Sequence, residues 1–196
     1  MVEIRPADSS RLAHVAEVIG RAFVTEPMMT WGLRGLTETL EERCIRFHEL
    51  FLEPLMDRGI VWESADGYGA LVLVPPEEAD ALDDALAIDD SKMHKVTDDG
   101  GRRYKLFWEW VGSNIPREPL WHLDSVAVRP GWQGRGIGSA LIEFGLEHAR
   151  VSGTAMILET GSQRNVPLYE RLGFHVVKEA DSPEGGPHVW CMRRDP

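Results

Sequence analysis

The 196-residue sequence is poor in cysteine: Cys44 and Cys191 stand far apart and form no C-x-x-C pair. Two such thiols exclude a disulfide framework and a cysteine-based zinc site, and they fit a reducing compartment. No apolar run approaches the length of a membrane span, and Met1–Pro6 carries no apolar signal-like stretch, so a cytoplasmic protein with no membrane partner is expected. Basic residues are also in deficit. Lys and Arg number 21 against 32 Asp and Glu, a formal net charge of −11, which argues against a nucleic-acid partner or an anionic-membrane surface. Repeats, low-complexity tracts and linkers are missing throughout.

What remains is ordinary globular material. Apolar residues make up 43% of the chain and seven tryptophans add large apolar surfaces, enough for one generous domain with its own core. Val2–Arg5 reads as a first strand. Asp8, Ser9 and Ser10 can cap a helix with Leu12, Val15, Ala16, Ile19 and Phe23 on one face. Residues 25–35 read as a loop, and Leu40, Cys44, Phe47, Phe51 and Leu55 mark a second amphipathic helix closed by Gly59. Ile60–Ser64 and Tyr68–Val74 form a hairpin across Ala65-Asp66-Gly67. Residues 77–90 suggest an exposed acidic helix, and 92–112 one or two more helices split near Gly100-Gly101. Strands at Trp121–Val128 and Ala155–Thr160 flank a helix from about Gly136 to Val151. A short helix at Asn165–Leu172 precedes strands at Phe174–Glu179 and His188–Arg193. Strands and helices in this order indicate a mixed α/β domain.

The sharpest local feature is the run from Val128 to Leu141, with Gln133, Gly134, Arg135, Gly136, Ile137, Gly138 and Ser139 between a strand and a helix. A helix start offers unpaired N–H groups and the positive end of a dipole, and glycines let a phosphate approach those donors. A Walker loop is excluded because Ile137 follows Gly136 where Lys is needed. The dinucleotide pattern fails because Ser139 or Leu141 stands at its last glycine position. The spacing is Q-x-x-G-x-G.

That motif, with Asn165-Val166-Pro167-Leu168-Tyr169-Glu170-Arg171-Leu172-Gly173-Phe174 and Leu158-Glu159-Thr160, resembles the GNAT superfamily of N-acetyltransferases. The closing Pro183-Glu184-Gly185 and Trp190-Cys191-Met192 resemble its puromycin N-acetyltransferase subgroup. The resemblance implies one domain over 1–196, with a single mixed, splayed sheet of about six or seven strands and helices on both faces. Acceptor-side helices and a loop would occupy about 8–58, a variable insert about 77–115, and a cofactor-binding half about 119–179. It further implies acetyl-CoA as the acetyl donor, held by backbone around Val126, Ala127 and Val128, by the turn 133–139 and by Asn165. The expected activity is direct transfer of acetyl to a primary amine of a small molecule, such as an antibiotic or amino-acid derivative. A peptide N-terminus or protein lysine is the alternative acceptor, and a non-catalytic acetyl-CoA-binding module the alternative class. A monomer or homodimer is expected.

Three tasks follow for such a reaction: taking a proton from the ammonium, polarising the thioester and protonating the leaving thiolate. On the residues alone Tyr169 reads as a core tyrosine beside Phe174; the resemblance makes it the general acid. Strand alternation predicts that His122, Asp124, Val126 and Val128 share one face. His122 and Asp124 match the positions of polar bases in aralkylamine acetyltransferases, whereas the puromycin enzymes are apolar or small there. Asp124 is the leading base, His122 a relay and Glu159 a reserve, although a polar strand end would explain the same residues. Phe23, Glu26 and Trp31 are expected at the acceptor pocket. No metal site is expected: His48-Glu49-Leu50-Phe51-Leu52 opens like a zinc-protease helix, but Leu52 stands where the second His is required.

Overall fold

In the computed structural model residues 2–114 and 118–196 are described; the end of the insert expected at 77–115 lies outside them. Seven strands form one sheet in the order β1-β2-β3-β4-β5-β7-β6: β1 Ile4–Pro6, β2 Val61–Ser64, β3 Gly69–Val74, β4 Trp121–Val128, β5 Met156–Thr160, β6 His175–Asp181 and β7 His188–Arg194. The helices are α1 Leu12–Phe23, α2 Pro27–Gly32, α3 Leu40–Leu52, α4 Asp80–Leu86, α5 Asp90–Met93, α6 Arg102–Gly112, α7 Ile137–Ser152 and α8 Val166–Arg171. All strand pairs are antiparallel except β4–β5. That parallel pair is joined through α7, as a crossover between parallel strands requires.

Each face of the sheet has its own core. Ala70, Val72, Val74 and Ala127 pack with α1 and α3, whose Val15, Ala16, Ile19, Cys44 and Phe47 are buried. Leu71, Leu73 and Leu123 pack with Leu141, Ile142 and Leu146 of α7. The α3 start is a capping box: Glu42 N donates to Thr39 Oγ1 at 3.3 Å and Thr39 N donates to Glu42 Oε2 at 2.9 Å. Buried Glu63 of β2 accepts from both Arg5 and Arg11, tying β1 and the chain before α1 to the hairpin.

Several boundaries differ from the sequence reading. The stretch 25–35 is not all loop, because Pro27 opens α2 at a position that needs no N–H donor. The acidic stretch is not simply an exposed helix: α4 is short and buries Ala81 and Ala85, four residues apart, beneath its charged face. The main difference is in β4. Val72 pairs with Ser125 but Leu73 pairs with Leu123, so Asp124 is an extra residue, a β-bulge. Partners across a ladder share a face; thus Leu123, Val126 and Val128 lie on the α7 face, while His122 joins Ser125 and Ala127 on the α1/α3 face. Strict alternation through residues 122–128 therefore fails at Asp124.

Beyond Trp121↔Met156 and His122↔Ile157, β4 and β5 no longer pair, and they splay. The helices α1 and α3 pack against each other at Gly20, where a Cβ would lie 2.6 Å from the Ile45 Cα. Alanine normally gains about 1 kcal/mol over glycine inside a helix. Here backbone crowding, costing roughly 1–3 kcal/mol, should win. Gly20→Ala is expected to lower the urea midpoint; a variant as stable as the parent would refute this account of the α1–α3 contact.

Candidate active site

The splay opens a cavity of about 750 Å³ between β4, β5, α3, α6 and the start of α7. At one end lies the glycine-rich turn. Gly134 and Gly136 have φ of 75° and 82°, and a Cβ built on either meets nothing within 4 Å. Positive φ explains why glycine stands there, and the open space is where a phosphate can approach. The first N–H groups of α7, at Ile137, Gly138 and Ser139, have no intrahelical acceptor and line this end. Gln133 braces the turn: Oε1 accepts from Gly131 N at 3.0 Å, and Nε2 donates to Val128 O at 3.2 Å. Arg135 is not in the lining; it stacks over Trp132 at 4.3 Å and stays exposed.

The backbone of β4 supplies the middle. Arg129 N donates to Tyr68 O beside β3, and hydrogen-bond direction alternates along a strand, so the groups of Val126 and Val128 turn toward the gap left by β5. Ala127 faces the other way in chemistry as well as direction, with its side chain buried in the α1/α3 core. Asn165 lies across the gap before α8, its Nδ2 3.3 Å from Thr160 Oγ1. Tyr169 of α8 lines the cavity and meets Phe174 edge-on at 5.8 Å. Burial, with the charge of Glu26, pushes its hydroxyl up to about 12.

Three titratable side chains meet where β4 leaves β5. His122 Nε2 lies 2.7 Å from Glu159 Oε2, and the Cys191 thiol faces Glu159 Oε1 at 3.9 Å. Burial works against the His122 charge, but the Glu159 carboxylate and, more weakly, Asp124 outweigh it and raise the imidazole to about 9. The pair is therefore an ion pair at neutral pH. Asp124, on the bulge, accepts from Ser125 Oγ at 2.8 Å. Burial raises its pKa, against the pull of His122 and of that hydrogen bond. Asp124 and Glu159 line the cavity; His122 stands behind them. With both carboxylates ionised the cluster carries one net negative charge, which suits an ammonium.

Of the expected acceptor residues, Phe23 and Glu26 line the cavity, and Glu26 pairs with Arg164 at 3.3 Å. Trp31 does not: it packs in an apolar cluster with Val111 and with Phe107 and Val189, which themselves line the cavity. The far wall is made by Met28, Met29, Phe47, His48, Tyr104 and Trp108. The sequence reading placed the loop holding the two methionines and the insert holding Tyr104 and Trp108 at the acceptor pocket, but did not single out Phe47 and His48 for it. The signal available was a histidine beside phenylalanines spaced by four on α3, a face too apolar for a solvated helix.

Because His122 is raised in the folded state, its stabilising contribution is full below its unfolded value near 6.5 and is lost as pH rises through about 9. Glu159→Gln should abolish that loss of stability between pH 6.5 and 9, and NMR titration should find His122 below its ordinary value, since burial is then less opposed. A His122 titration unmoved by the substitution would dissolve the ion pair.

The sequence profile of the Acetyltransferase (GNAT) family matches residues 69–174, more than half of the chain. A mycothiol acetyltransferase of Propionibacterium freudenreichii is 30% identical over 122 residues, covering 58% of this chain and 39% of that protein. The chain thus spans well under half the length of that curated relative. The solved structure of a histone acetyltransferase and related acetyltransferase from Corynebacterium glutamicum aligns over 100% of this chain and 97% of that one, with TM-score 0.72 at 22% identity. A mosquito arylalkylamine N-acetyltransferase like 5b aligns over 100% of both chains, with TM-score 0.63 at 20% identity. These likenesses bear on the fold, and the profile match, running from β3 through the glycine turn to Phe174, takes in the splay and the glycine-turn end of the cavity. The chain belongs to the GNAT acetyltransferase family.

Proposed function

We propose that this protein is an acetyl-CoA-dependent N-acetyltransferase, a single domain acting in the cytoplasm on a primary amine of a small molecule. One observation carries the reading: a single cavity joins a glycine-lined helix start, a strand edge with unpaired backbone groups, and an acidic cluster. The donor set fits the cofactor. Ile137, Gly138 and Ser139 N–H groups would hold its pyrophosphate, Val126 and Val128 its amide arm as an added strand, and Asn165 its far amide. When bound, acetyl-CoA supplies a thioester whose acetyl group passes to the amine as the thiol leaves.

The chain's own groups manage charge and protons. Asp124 attracts the ammonium and, with its raised pKa, is a better proton acceptor than an exposed aspartate. The His122–Glu159 pair fixes the electrostatics behind it and leaves Asp124 as the carboxylate without an imidazole of its own. Tyr169 keeps its proton at neutral pH and can donate a hydrogen bond to the departing sulfur. Full transfer from a hydroxyl near 12 to a thiolate of pKa ~8.5 is uphill by roughly 5 kcal/mol, so Tyr169 would stabilise the departing sulfur by a hydrogen bond, and the thiol's proton would come from those the amine gives up. Enclosure by aromatic walls favours a small acceptor over a peptide chain. The closing segments support the puromycin-acetyltransferase likeness, while Asp124 and His122 favour an amine other than puromycin.

Gly138 offers a cleaner probe of the cradle than Gly136, because it has ordinary helical φ and its added Cβ would meet only Val128 Cγ2 at 3.4 Å. Gly138→Val should keep the parent's melting temperature within a few degrees yet lose the stabilisation that acetyl-CoA gives. Retained stabilisation would misplace the cofactor.

With a panel of amines, the parent should release thiol from acetyl-CoA, and Tyr169→Phe should lower turnover more than ~10-fold with little change in cofactor affinity. No release with any amine would favour a binding module, and equal turnover would return Tyr169 to packing.

A further inference from the structure

The aromatic end of the cavity holds polar groups that the reaction above leaves unused. His48 is 2% exposed, and its Nδ1 lies 2.6 Å from the Cys44 carbonyl oxygen. Two lone pairs cannot share that distance, so Nδ1 carries the ring proton and Nε2 is left as an acceptor. Nε2 makes no hydrogen bond among the described residues. Burial holds the imidazole down at about 4, so it is neutral. The indole N–H of Trp108 is also buried without a partner, approaching the Tyr104 hydroxyl but not in hydrogen-bond geometry. Leaving an acceptor and a donor of this kind unmade costs the folded protein stability. A ligand able to satisfy both would recover that cost.

The surrounding surface says what carries those groups. Phe23 and Phe47 meet His48 edge-on at 5.5 and 5.1 Å, and Phe47 meets Tyr104 at 4.8 Å. Such walls suit a flat ring. The Tyr104 hydroxyl feels the charge of Asp124, so this end adjoins the carboxylate that would hold the ammonium. Among the described lining residues Arg164 is the only arginine or lysine, and it is paired with Glu26, so a phosphate finds no free cation. A second ammonium at the His48 end would meet neutral rings.

The geometry points to an acceptor that is a primary amine carried on an aromatic ring bearing a hydroxyl group, the hydroxyl donating to His48 Nε2 and taking the Trp108 indole N–H. This rests on the amine-acetylation reading above and names its substrate class. A site built to hydrogen-bond a hydroxyl discriminates strongly against the analogue that lacks it.

The test uses 2-phenylethylamine and its three ring-monohydroxylated forms. Binding is measured by calorimetry on protein saturated with coenzyme A, and acetyl transfer separately by thiol release. At least one hydroxylated amine should bind more than ~10-fold tighter than the bare ring. His48→Phe should bring that ratio near one, and His48→Gln, which restores an acceptor, should recover part of it. If His48→Phe does not fold, Trp108→Phe carries the point, and it should cut the ratio at least ~3-fold. A parent that binds the bare ring as tightly as every hydroxylated form overturns the inference, as does a ratio unmoved in the variants. Transfer without hydroxyl preference would overturn it and leave the acetyltransferase reading standing. Preferential binding without thiol release would do the reverse.

Discussion

The bulge at Asp124 is the constraint on which the site depends. A strand of strict alternation would bury residue 124 in the α7 core with Val126 and Val128, or force it into the α1/α3 core with Ala127. One extra residue, unpaired between Leu123 and Ser125, lets β4 keep an apolar side on each face and still send a carboxylate to its edge. The same strand loses its parallel partner after His122. Two groups of demand then face one space: the backbone of Val126 and the N–H of Val128, whose carbonyl is already met by Gln133, and the Asp124 carboxylate. A buried strand edge is costly when left unpaired, so a gap of this kind is a place for a ligand that can act as a strand.

The charges around the bulge show how neighbours divide their roles. Glu159 has a full partner in His122, which it keeps protonated, and a weak one in the Cys191 thiol. Asp124 has only the Ser125 hydroxyl as a direct donor. Two carboxylates near one imidazolium are thus unequal: one is committed to structure and the other remains open to an incoming cation. The residue assigned as a relay from its position on the strand is an electrostatic support in the folded molecule, standing behind the cavity lining.

At the other end, polarity is set by absence of partners. The carbonyl of Cys44 fixes the His48 tautomer from one turn earlier in α3, and Phe23 and Phe47 pack edge-on against the ring. The glycine turn works on a related rule: left-handed φ at Gly134 and Gly136 removes side chains from the approach to the α7 N–H groups, while Gln133 holds the turn against the end of β4. Both ends of the cavity thus carry hydrogen-bonding groups without a partner in the chain, backbone N–H groups at one and the His48 ring nitrogen at the other.

Much of this was legible in the sequence, because it is local. The glycine turn, the β4 span, the Tyr169 helix and the 61–74 hairpin each depend on residues within a few positions of one another, and period and turn chemistry report them directly. Tertiary structure decided the rest. The bulge exists because β3 pairs with β4 in a shifted register, which no periodicity within β4 can reveal. It moved His122 to the face opposite Val126, and the packing of α6 against α2 drew Trp31 into an apolar cluster instead of the cavity. His48 looks in sequence like a failed metal motif, and only the meeting of α3 with α6 and β4 makes it part of a cavity wall. Local sequence determined where the glycine turn and its free helix N–H groups stand; long-range pairing and packing, which act between residues far apart in the chain, decided which side chains line the cavity.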